Sequence, residues 1–351
     1  MKKTPEMYIA GRRISTDDAP YVIAEISANH NGSIETAMRL IEAAKAAGAD
    51  AVKLQTYTPD TITLHSDAEG FRIDDGLWAG RTLYDLYQEA HMPWEWHAPL
   101  FAHARQVGIT IFSSPFDGTA VDLLESLDAP AYKIASFEAV DWSLIRRVAA
   151  TGKPVIISTG LADADEIGEA IEAARSAGGS QVAVLHCVSS YPALASDYNL
   201  RTLPDMIQRF DVVTGLSDHT LDNTTAIASV ALGAAIIEKH FTLDRSGGGP
   251  DDSFSLEPQE LADLCTQSRT AWQSLGRVDY GLKSGERGNL KFRRSLYVSR
   301  QVRAGERVSP DNVRSVRPGF GLPCKHLDQV LGMTFTRALP FATPLDWDMV
   351  E

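Results

Sequence analysis

Eight short apolar runs recur along the chain, and a stretch of helical periodicity separates each run from the next. Runs of this length that are rich in Val and Ile are typical of buried strands. Eight parallel strands alternating with helices close into a barrel, so the chain is predicted to be an α/β protein that begins with a (β/α)8 TIM barrel. The runs are YVIAEIS from Tyr21, AVKLQTY from Ala51, ITIFSSP from Ile109, AYKIAS from Ala131, PVIIST from Pro154, VAVLHCV from Val182, VVTGLSDH from Val212 and AAIIEKH from Ala234.

The segments between the runs support this interpretation. In IETAMRLIEAAKAAGAD, apolar residues recur at helical spacing and Gly48 stands where a helix C-cap is expected. The connection from Tyr57 to Ile109 is longer than one helix requires and is rich in Trp and Tyr. Long loops at the mouth of a barrel usually shape substrate binding.

The barrel is predicted to occupy residues 1–279. The segment GRVDYGLKSGERGN is rich in Gly and charge, which is typical of a linker, and the linker is placed at residues 280–289. Residues 290–351 contain short strand-like runs broken by Gly and Pro, so they are predicted to form a small, mainly β domain.

Composition narrows the function classes. A formal net charge of -13 makes nucleic acid and an anionic membrane poor partners. No apolar stretch reaches the ~20 residues of a membrane span, and the N-terminus lacks the apolar core of a signal peptide, so a cytoplasmic protein is expected. The three cysteines, Cys187, Cys265 and Cys324, show no C-x-x-C spacing and are expected to be buried thiols.

Two predicted strands end in histidine, within Ser217-Asp218-His219 and Glu238-Lys239-His240. Side chains at the C-terminal ends of neighbouring barrel strands converge on one mouth. A strand-end histidine is often only a packing residue, but two on adjacent strands favour a metal site. Two imidazoles leave coordination positions open, so the metal could act as a Lewis acid on a carbonyl oxygen.

Strand alternation also brings polar residues to this mouth, because side chains at i and i+2 share a face. Lys53 and Gln55 share a face of their strand, as do Glu25 and Ser27. Lysines and hydroxyls together suit a ligand that carries both a phosphate and a carboxylate. The other polar candidates are Lys133, Glu238, Asp251, Ser114, Ser136, Ser158 and Ser189.

Two other functions are compatible with these residues. A Schiff-base aldolase would use Lys53 or Lys133 as its nucleophile, although two imidazoles at the same mouth disfavour it. A carbohydrate-binding protein without catalytic activity is also compatible, because a fold alone does not prove activity.

Ordered motifs along nearly the whole chain resemble the sialic acid synthase family. The motifs are EISANHNGS (25–33), KLQTYTPD (53–60), FSSPFD (112–117), AYKIASFE (131–138), ISTG (157–160), HCVSSYP (186–192), GLSDHT (215–220), EKHF (238–241) and RPGFGLP (317–323). The last resembles the family's C-terminal antifreeze-like (SAF) domain. The resemblance implies condensation of phosphoenolpyruvate with an amino sugar to give a nine-carbon 2-keto acid and phosphate.

The resemblance also implies roles for individual residues. His219 and His240 would hold a divalent metal, most often Mn²⁺, with Mg²⁺ or Co²⁺ as alternatives, and Glu25 would be the catalytic carboxylate. Arg317 would come from the partner in a domain-swapped homodimer. Phosphoenolpyruvate would contact Lys53, Ser114, Lys133, Ser136, Ser158, Ser189 and Ser217, and the sugar would contact Glu25, Gln55, Tyr191 and Asp251.

The segments SDAEGFRIDDGLW (66–78) and GRTLYDLYQEAHMPWEWH (80–97) resemble one branch of the family. That branch uses 2,4-diacetamido-2,4,6-trideoxy-L-altrose. The alternative branches use N-acetylmannosamine or a related diacetamido sugar.

Overall fold

The computed structural model describes residues 4–351, which form two compact units. One unit extends to Gly276 and the other runs from Arg277 to Glu351. The boundary falls after the first residue of the segment GRVDYGLKSGERGN, before the predicted end of the barrel at residue 279.

A closed barrel of eight parallel strands forms the first unit, so the predicted fold is confirmed. Each of the eight apolar runs provides one strand, and the last strand pairs with the first. A hairpin of β1 (Met7–Ile9) and β2 (Arg12–Ile14) precedes the barrel. The barrel strands are β3 (Tyr21–Glu25), β4 (Ala51–Thr56), β5 (Thr110–Pro115), β6 (Tyr132–Ile134), β7 (Val155–Ser158), β8 (Val182–Cys187), β9 (Val213–Asp218) and β10 (Ile236–His240).

Helices follow the barrel strands. The helix after β3 ends as predicted at Gly48, whose φ of 93° is in the left-handed region that glycine adopts without strain. The helices are α1 (Ile34–Ala47), α2 (Pro59–Ile62), α3 (Leu83–Ala90), α4 (Trp94–Val107), α5 (Gly118–Ser126), α6 (Trp142–Ala149), α7 (Ala164–Ser176), α8 (Thr202–Phe210), α9 (Thr224–Ala231) and α10 (Pro258–Leu275).

The hairpin β1–β2 closes the N-terminal end of the barrel. Met7, Ile9 and Ile14 are buried in one apolar cluster with inward-facing strand residues such as Phe112 and Ile156. These two strands are not predicted from the sequence, because strands of three residues carry too little periodicity to detect. The bottom of the barrel is therefore a packed core, and the C-terminal mouth remains available for chemistry.

The second unit is small and contains a two-stranded antiparallel sheet, which confirms a small β-containing domain, although most of its residues lie in turns and loops where a mainly β domain was predicted. These are β11 (Ser295–Val298) and β12 (Val313–Val316), and α11 (Leu327–Val330) is its α-helix. Leu296, Val298 and Phe335 belong to a separate apolar cluster. The exposed segment before β11 includes a 3-10 helix, Ser284–Phe292, where the sequence predicted a plain linker.

Among the described residues, no helix is long and apolar enough to cross a membrane. The three cysteines are free thiols. Only Cys187 is fully buried, whereas Cys265 and Cys324 are half-buried, so the expectation of buried thiols is correct for one of the three.

Candidate active site

The mouth of the barrel brings together every predicted site residue of the first unit. Each lies near the C-terminal end of a barrel strand or in the loop that follows it. They are Glu25 on β3, Lys53 and Gln55 on β4, Ser114 on β5, Lys133 on β6 with Ser136 after it, Ser158 on β7, Ser189 and Tyr191 after β8, Ser217 on β9 with His219 after it, and His240 on β10 with Asp251 after it.

A buried ion pair forms the floor of this mouth. Lys53 Nζ lies 2.6 Å from Glu25 Oε2, and the Gln55 amide donates to Glu25 Oε1 at 3.0 Å. Lys53 also donates to the Ser114 hydroxyl at 3.3 Å. Two predicted site residues, Lys53 and Gln55, therefore orient the carboxylate of Glu25, and Ser114 contacts the first of them.

Glu238 connects the second lysine to the first. Lys133 Nζ donates to Glu238 Oε1 at 3.1 Å, and Lys53 Nζ lies 3.8 Å from the same oxygen. The Ser217 hydroxyl donates to it at 3.4 Å. Two ammonium groups and two carboxylates thus share a buried cluster, which compensates charges that would be costly singly.

The two carboxylates of this cluster differ in acidity. Burial raises the pKa of Glu25 to about 7, because the loss of hydration outweighs the attraction of Lys53. Burial has the same tendency at Glu238, but the nearby Lys133 and Lys53 overcome it and lower the pKa of that carboxyl. Near neutral pH, Glu25 can therefore exchange a proton while Glu238 stays ionised.

The two lysines also differ. Burial works against the charge of Lys53, but Glu238 and Glu25 outweigh it and raise its pKa. At Lys133 burial prevails and lowers the pKa. Lys53 is consequently a permanent cation at the mouth.

The hydroxyls of Ser136 and Ser189 lie against Gly160, two residues after Ser158 at the end of β7. The backbone N–H of Gly160 donates to Ser136 Oγ at 3.2 Å. A Cβ at Gly160 would lie 2.2 Å from Ser189 Oγ, so only glycine leaves this concavity open. Ser158 Oγ and Ser189 Oγ are buried without a hydrogen-bond partner. Such unpaired hydroxyls and an adjacent lysine cluster suit a phosphate.

The two imidazole rings lie edge to face, with their centroids 5.5 Å apart and an angle of 66° between their planes. His219 Nδ1 donates to the Val188 carbonyl at 2.8 Å, because a carbonyl oxygen can only accept. Burial opposes the charge on His219, but the neighbouring Cys187 outweighs it and raises the pKa of this imidazole. His240 Nδ1 is buried without a hydrogen-bond partner. Burial, and then the positive neighbours, lower the pKa of His240 well below its usual range and keep this imidazole neutral.

This donor set fits a divalent metal. The two imidazoles lie beside the carboxylate of Asp251, whose Oδ2 is 3.8 Å from the unpaired His240 Nδ1. Among the described residues, no group of three or more His, Cys, Asp or Glu side chains forms a metal cage. Two imidazoles and one carboxylate are fewer than the four protein ligands of a closed structural site.

Aromatic side chains form one wall beside the imidazoles. The Tyr191 ring lies 4.3 Å from the His219 ring and 5.2 Å from Phe254, centroid to centroid. Trp78, from the long loop before α3, lies 5.9 Å from Tyr191. Its indole N–H donates to the Pro250 carbonyl at 3.1 Å, which ties this loop to the residue before Asp251.

The loop that carries Asp251 is fixed to the loop after β3. Asn31 donates to Asp252 Oδ2 at 2.9 Å, and the Gly249 N–H donates to the same oxygen at 2.8 Å. A Cβ on Gly249 would lie 1.9 Å from Asn31 Oδ1, so the close approach requires glycine. Ser27, at a φ of 46°, donates directly to Asp251.

Sequence reasoning gave no role to Glu138, which the structure brings to the mouth. It ends the 3-10 helix Ser136–Glu138, and its Oε2 is buried without a hydrogen-bond partner. Burial raises its pKa to about 7. Its position two residues after Ser136 in AYKIASFE was the available signal, but strand alternation no longer applies beyond the end of β6.

Arg317 lies outside the barrel unit. It is an exposed residue that directly follows β12, at the start of RPGFGLP. Phe320 in the same loop is also exposed.

Comparison with known proteins identifies the class. The NeuB family model matches residues 40–280, and the SAF domain model matches residues 293–351. The chain is 44% identical to the pseudaminic acid synthase of Campylobacter jejuni over 331 residues, which cover 94% of this chain and 96% of that protein. It is 34% identical over 320 residues to an N,N'-diacetyllegionaminic acid synthase of the same species, covering 90% and 96% respectively.

A solved structure gives the same result. The N-acetylneuraminic acid synthetase of Leptospira borgpetersenii serovar Hardjo-bovis, in complex with citrate, matches 82% of this chain and 96% of its own, with a TM-score of 0.73 and 29% identity. The family model alone covers more than half of the sequence. The chain therefore belongs to the NeuB family, with a C-terminal SAF domain.

Proposed function

We propose that this chain is a pseudaminic acid synthase. It condenses phosphoenolpyruvate with 2,4-diacetamido-2,4,6-trideoxy-L-altrose and releases phosphate. The main observation is a barrel mouth with two separate polar sites, the hydroxyl concavity at Gly160 and the imidazole pair, joined by the lysine–carboxylate cluster. The identity to pseudaminic acid synthase is higher than to the legionaminic acid enzyme, which supports the choice of sugar.

Phosphoenolpyruvate occupies the Gly160 side of the mouth in this proposal. Its phosphate receives hydrogen bonds from the unpaired hydroxyls of Ser158 and Ser189 and from Ser136. Lys53 and Lys133 supply positive charge, with Ser114 and Ser217 beside them. The cost of leaving these groups buried without partners is recovered when the anion binds.

The sugar aldehyde lies toward His219 and His240. A divalent cation held by these imidazoles, most often Mn²⁺, would act there as a Lewis acid toward the aldehyde oxygen. Gln55, Tyr191 and Asp251 orient the sugar chain. The aromatic wall excludes water while the new carbon–carbon bond forms.

Proton transfer is assigned to the carboxyls with raised pKa. Water adds to C2 after carbon–carbon bond formation, and the tetrahedral intermediate then loses phosphate. Glu25, whose pKa is about 7, can take the proton from that water. Glu138, with a similar pKa on the Gly160 side, is a second acid or base at the same mouth.

The active form is a domain-swapped homodimer in which Arg317 of the partner subunit reaches this mouth. Exposed apolar side chains stand in the loops after four successive strands, and Phe320 is exposed close to Arg317 in the SAF unit. Burial of both sets on dimer formation supplies a hydrophobic driving force. The exposed loop residues are Phe137, Leu161, Leu194 and Leu221.

The alternatives receive less support. Lys53 has a raised pKa and is paired to Glu25, which leaves a poor nucleophile for a Schiff base, and Lys133 is engaged by Glu238. Borohydride trapping with pyruvate tests that chemistry directly. Because phosphoenolpyruvate is an intracellular metabolite, we place the reaction in the cytoplasm.

Product analysis tests the proposal. The purified protein is incubated with phosphoenolpyruvate, Mn²⁺ and either the altro-configured diacetamido sugar or N-acetylmannosamine, with mass spectrometry of the products and phosphate release as readouts. Higher kcat/KM with the diacetamido sugar is expected. Equal or better turnover of N-acetylmannosamine would assign the chain to the neuraminate branch, and no phosphate release with any sugar would favour a binding protein.

A further inference from the structure

A second buried ion pair lies behind the imidazoles, on the outer face of the barrel. Asp218 and Lys239 are aligned partners on β9 and β10, with Nζ 3.0 Å from Oδ2 and side chains 0% and 2% exposed. Leu216 and Ile237, on the same face of these strands, pack in the apolar layer between strands and helices. A charged pair is unfavourable in such a layer, so its presence calls for a specific role.

The Lys239 ammonium group organises the turn that follows β9. Besides Asp218, it donates to the carbonyl of Thr220 at 2.7 Å and to the carbonyl of Asp222 at 2.8 Å. These three acceptors use all three N–H bonds of the ammonium group. Asp218 Oδ1 in turn accepts the N–H of Thr220 at 2.9 Å.

His219 lies inside this bonded segment. Its neighbours on both sides, Asp218 and Thr220, are bound to the ammonium group, and Lys239 itself directly precedes His240. One buried cation therefore fixes the backbone that carries both imidazoles relative to each other. The backbone N–H of His219 is held further by the Tyr198 hydroxyl at 2.7 Å.

The geometry points to Lys239 and Asp218 as positioning residues for the imidazole pair, which set the separation of His219 and His240 and thereby the affinity for a divalent cation. Both side chains lie on the outer face of the barrel and not at its mouth. The inference rests on the proposed metal site and adds to it a pair of residues that act through the backbone. Groups that orient metal ligands typically change metal affinity 10- to 100-fold when they are removed.

Mn²⁺ titration of the full-length protein without substrates tests this role, with free Mn²⁺ followed by electron paramagnetic resonance. Lys239→Met keeps the length of the side chain and removes the charge, and we expect it to raise the Kd for Mn²⁺ roughly 10- to 100-fold. Asp218→Asn retains an acceptor oxygen, so a smaller increase is expected. At saturating Mn²⁺, the KM for phosphoenolpyruvate stays near the wild-type value, because the Gly160 concavity is untouched.

Ile237→Ala is the matched control, since it removes packing from the same face of the same strand without touching the ion pair. If Lys239 only stabilises the fold, the two variants should lose the same amount of Mn²⁺ affinity whenever they lose the same amount of thermal stability. That result, or a Kd within twofold of the wild type for Lys239→Met, overturns the inference. If Lys239→Met does not fold, Asp218→Asn decides by the same criterion, and unchanged affinity counts against the pair.

Mn²⁺ binding by the wild-type protein distinguishes failure of the metal site from failure of the positioning role. Mn²⁺ binding by the wild type with unchanged binding by both pair variants rejects the positioning role and leaves the metal site intact. Failure of the wild type to bind Mn²⁺ rejects the metal site itself, and the positioning role with it.

Discussion

The two ends of the barrel are built from the same eight strands but differ in composition, because one is apolar and packed and the other is polar. At the bottom, Met7, Ile9 and Ile14 of the β1–β2 hairpin seal the strands with apolar contacts. At the mouth, a few residues further along those strands, lysines and carboxylates are buried together, and Ser158 Oγ and His240 Nδ1 have no hydrogen-bond partner.

Unpaired buried polar groups lower the free energy of unfolding. The mouth therefore keeps groups that can bind ligands, and the folded protein is less stable as a result. The bottom has no such requirement and supplies packing. The barrel therefore assigns stability to one end and chemistry to the other. Substitutions at each end are expected to separate these two properties.

The largest effect is expected for His240→Ala. Loss of Lewis-acid stabilisation is worth several kcal/mol, so kcat/KM at saturating Mn²⁺ is expected to fall at least about a hundredfold. Thermal stability is expected to stay near the wild-type value, because the imidazole nitrogen removed has no partner in the folded protein. The exposed His65→Ala is the control. Full activity of the wild type in excess EDTA would contradict the metal role.

A smaller effect of the opposite kind is expected at the bottom. Ile9 is fully buried, and Ile9→Ala is expected to cost about 3 kcal/mol of unfolding free energy, with kcat/KM within about twofold of the wild type. Thermal melting followed by circular dichroism measures the loss. Tyr8→Ala, on the exposed side of the same strand, provides the matched control. A large drop in kcat/KM for Ile9→Ala would show that the two ends are coupled.

Glu138→Gln tests how much folding stability the protein loses when a buried carboxyl at the mouth ionises. The folded pKa of Glu138 is about 7, above its unfolded value, so the stability that this carboxyl contributes is present below about pH 4.5 and is lost as the pH rises through 7. A shift of this size corresponds to about 3 kcal/mol at most, and partial exposure reduces it to about 2 kcal/mol.

The measurement is the melting temperature of Glu138→Gln and of the wild type between pH 5 and pH 8. The advantage of the glutamine variant is expected to grow with pH across that range. Glu169→Gln, an exposed residue on α7, gives the baseline for exchanging a carboxylate with an amide. A constant difference at every pH would mean that Glu138 ionises in the folded protein without penalty.

The same contrast explains what the sequence could predict. The barrel strands were visible because Val- and Ile-rich runs repeat eight times, and alternation placed Lys53 and Gln55 on one face correctly. The bottom hairpin was missed because its strands are too short to show a period. Glu138 was missed because it lies on a turn beyond the strand, where alternation has ended.

Other features could not follow from pattern at all. Alternation assigns Asp218 and Lys239 to the apolar outer face, and only the three-dimensional register reveals that they pair there. The contact of Trp78 with Pro250 joins loops 172 residues apart, a separation that local sequence does not encode. The metal and the role of Arg317 remain predictions.

The smallest effect is expected on selectivity between the two sugars. We expect residues in the loops above the mouth, and not those at the strand ends, to determine this selectivity. Trp78 holds the loop before Asp251 through a hydrogen bond at 3.1 Å and lies against Tyr191. The lost hydrogen bond is worth about 1 kcal/mol, so Trp78→Ala is expected to lower kcat/KM for the diacetamido sugar about fivefold. We expect a sugar without the 4-acetamido group to make fewer contacts in this region. The kcat/KM for N-acetylmannosamine should therefore fall less, and the preference for the diacetamido sugar should decrease.

Leu77→Ala, an exposed neighbour, is the control, and Trp78→Phe separates the ring contact from the hydrogen bond. Equal losses for both sugars would mean that Trp78 closes the site without selecting the substrate, and specificity would then have to come from the strand ends.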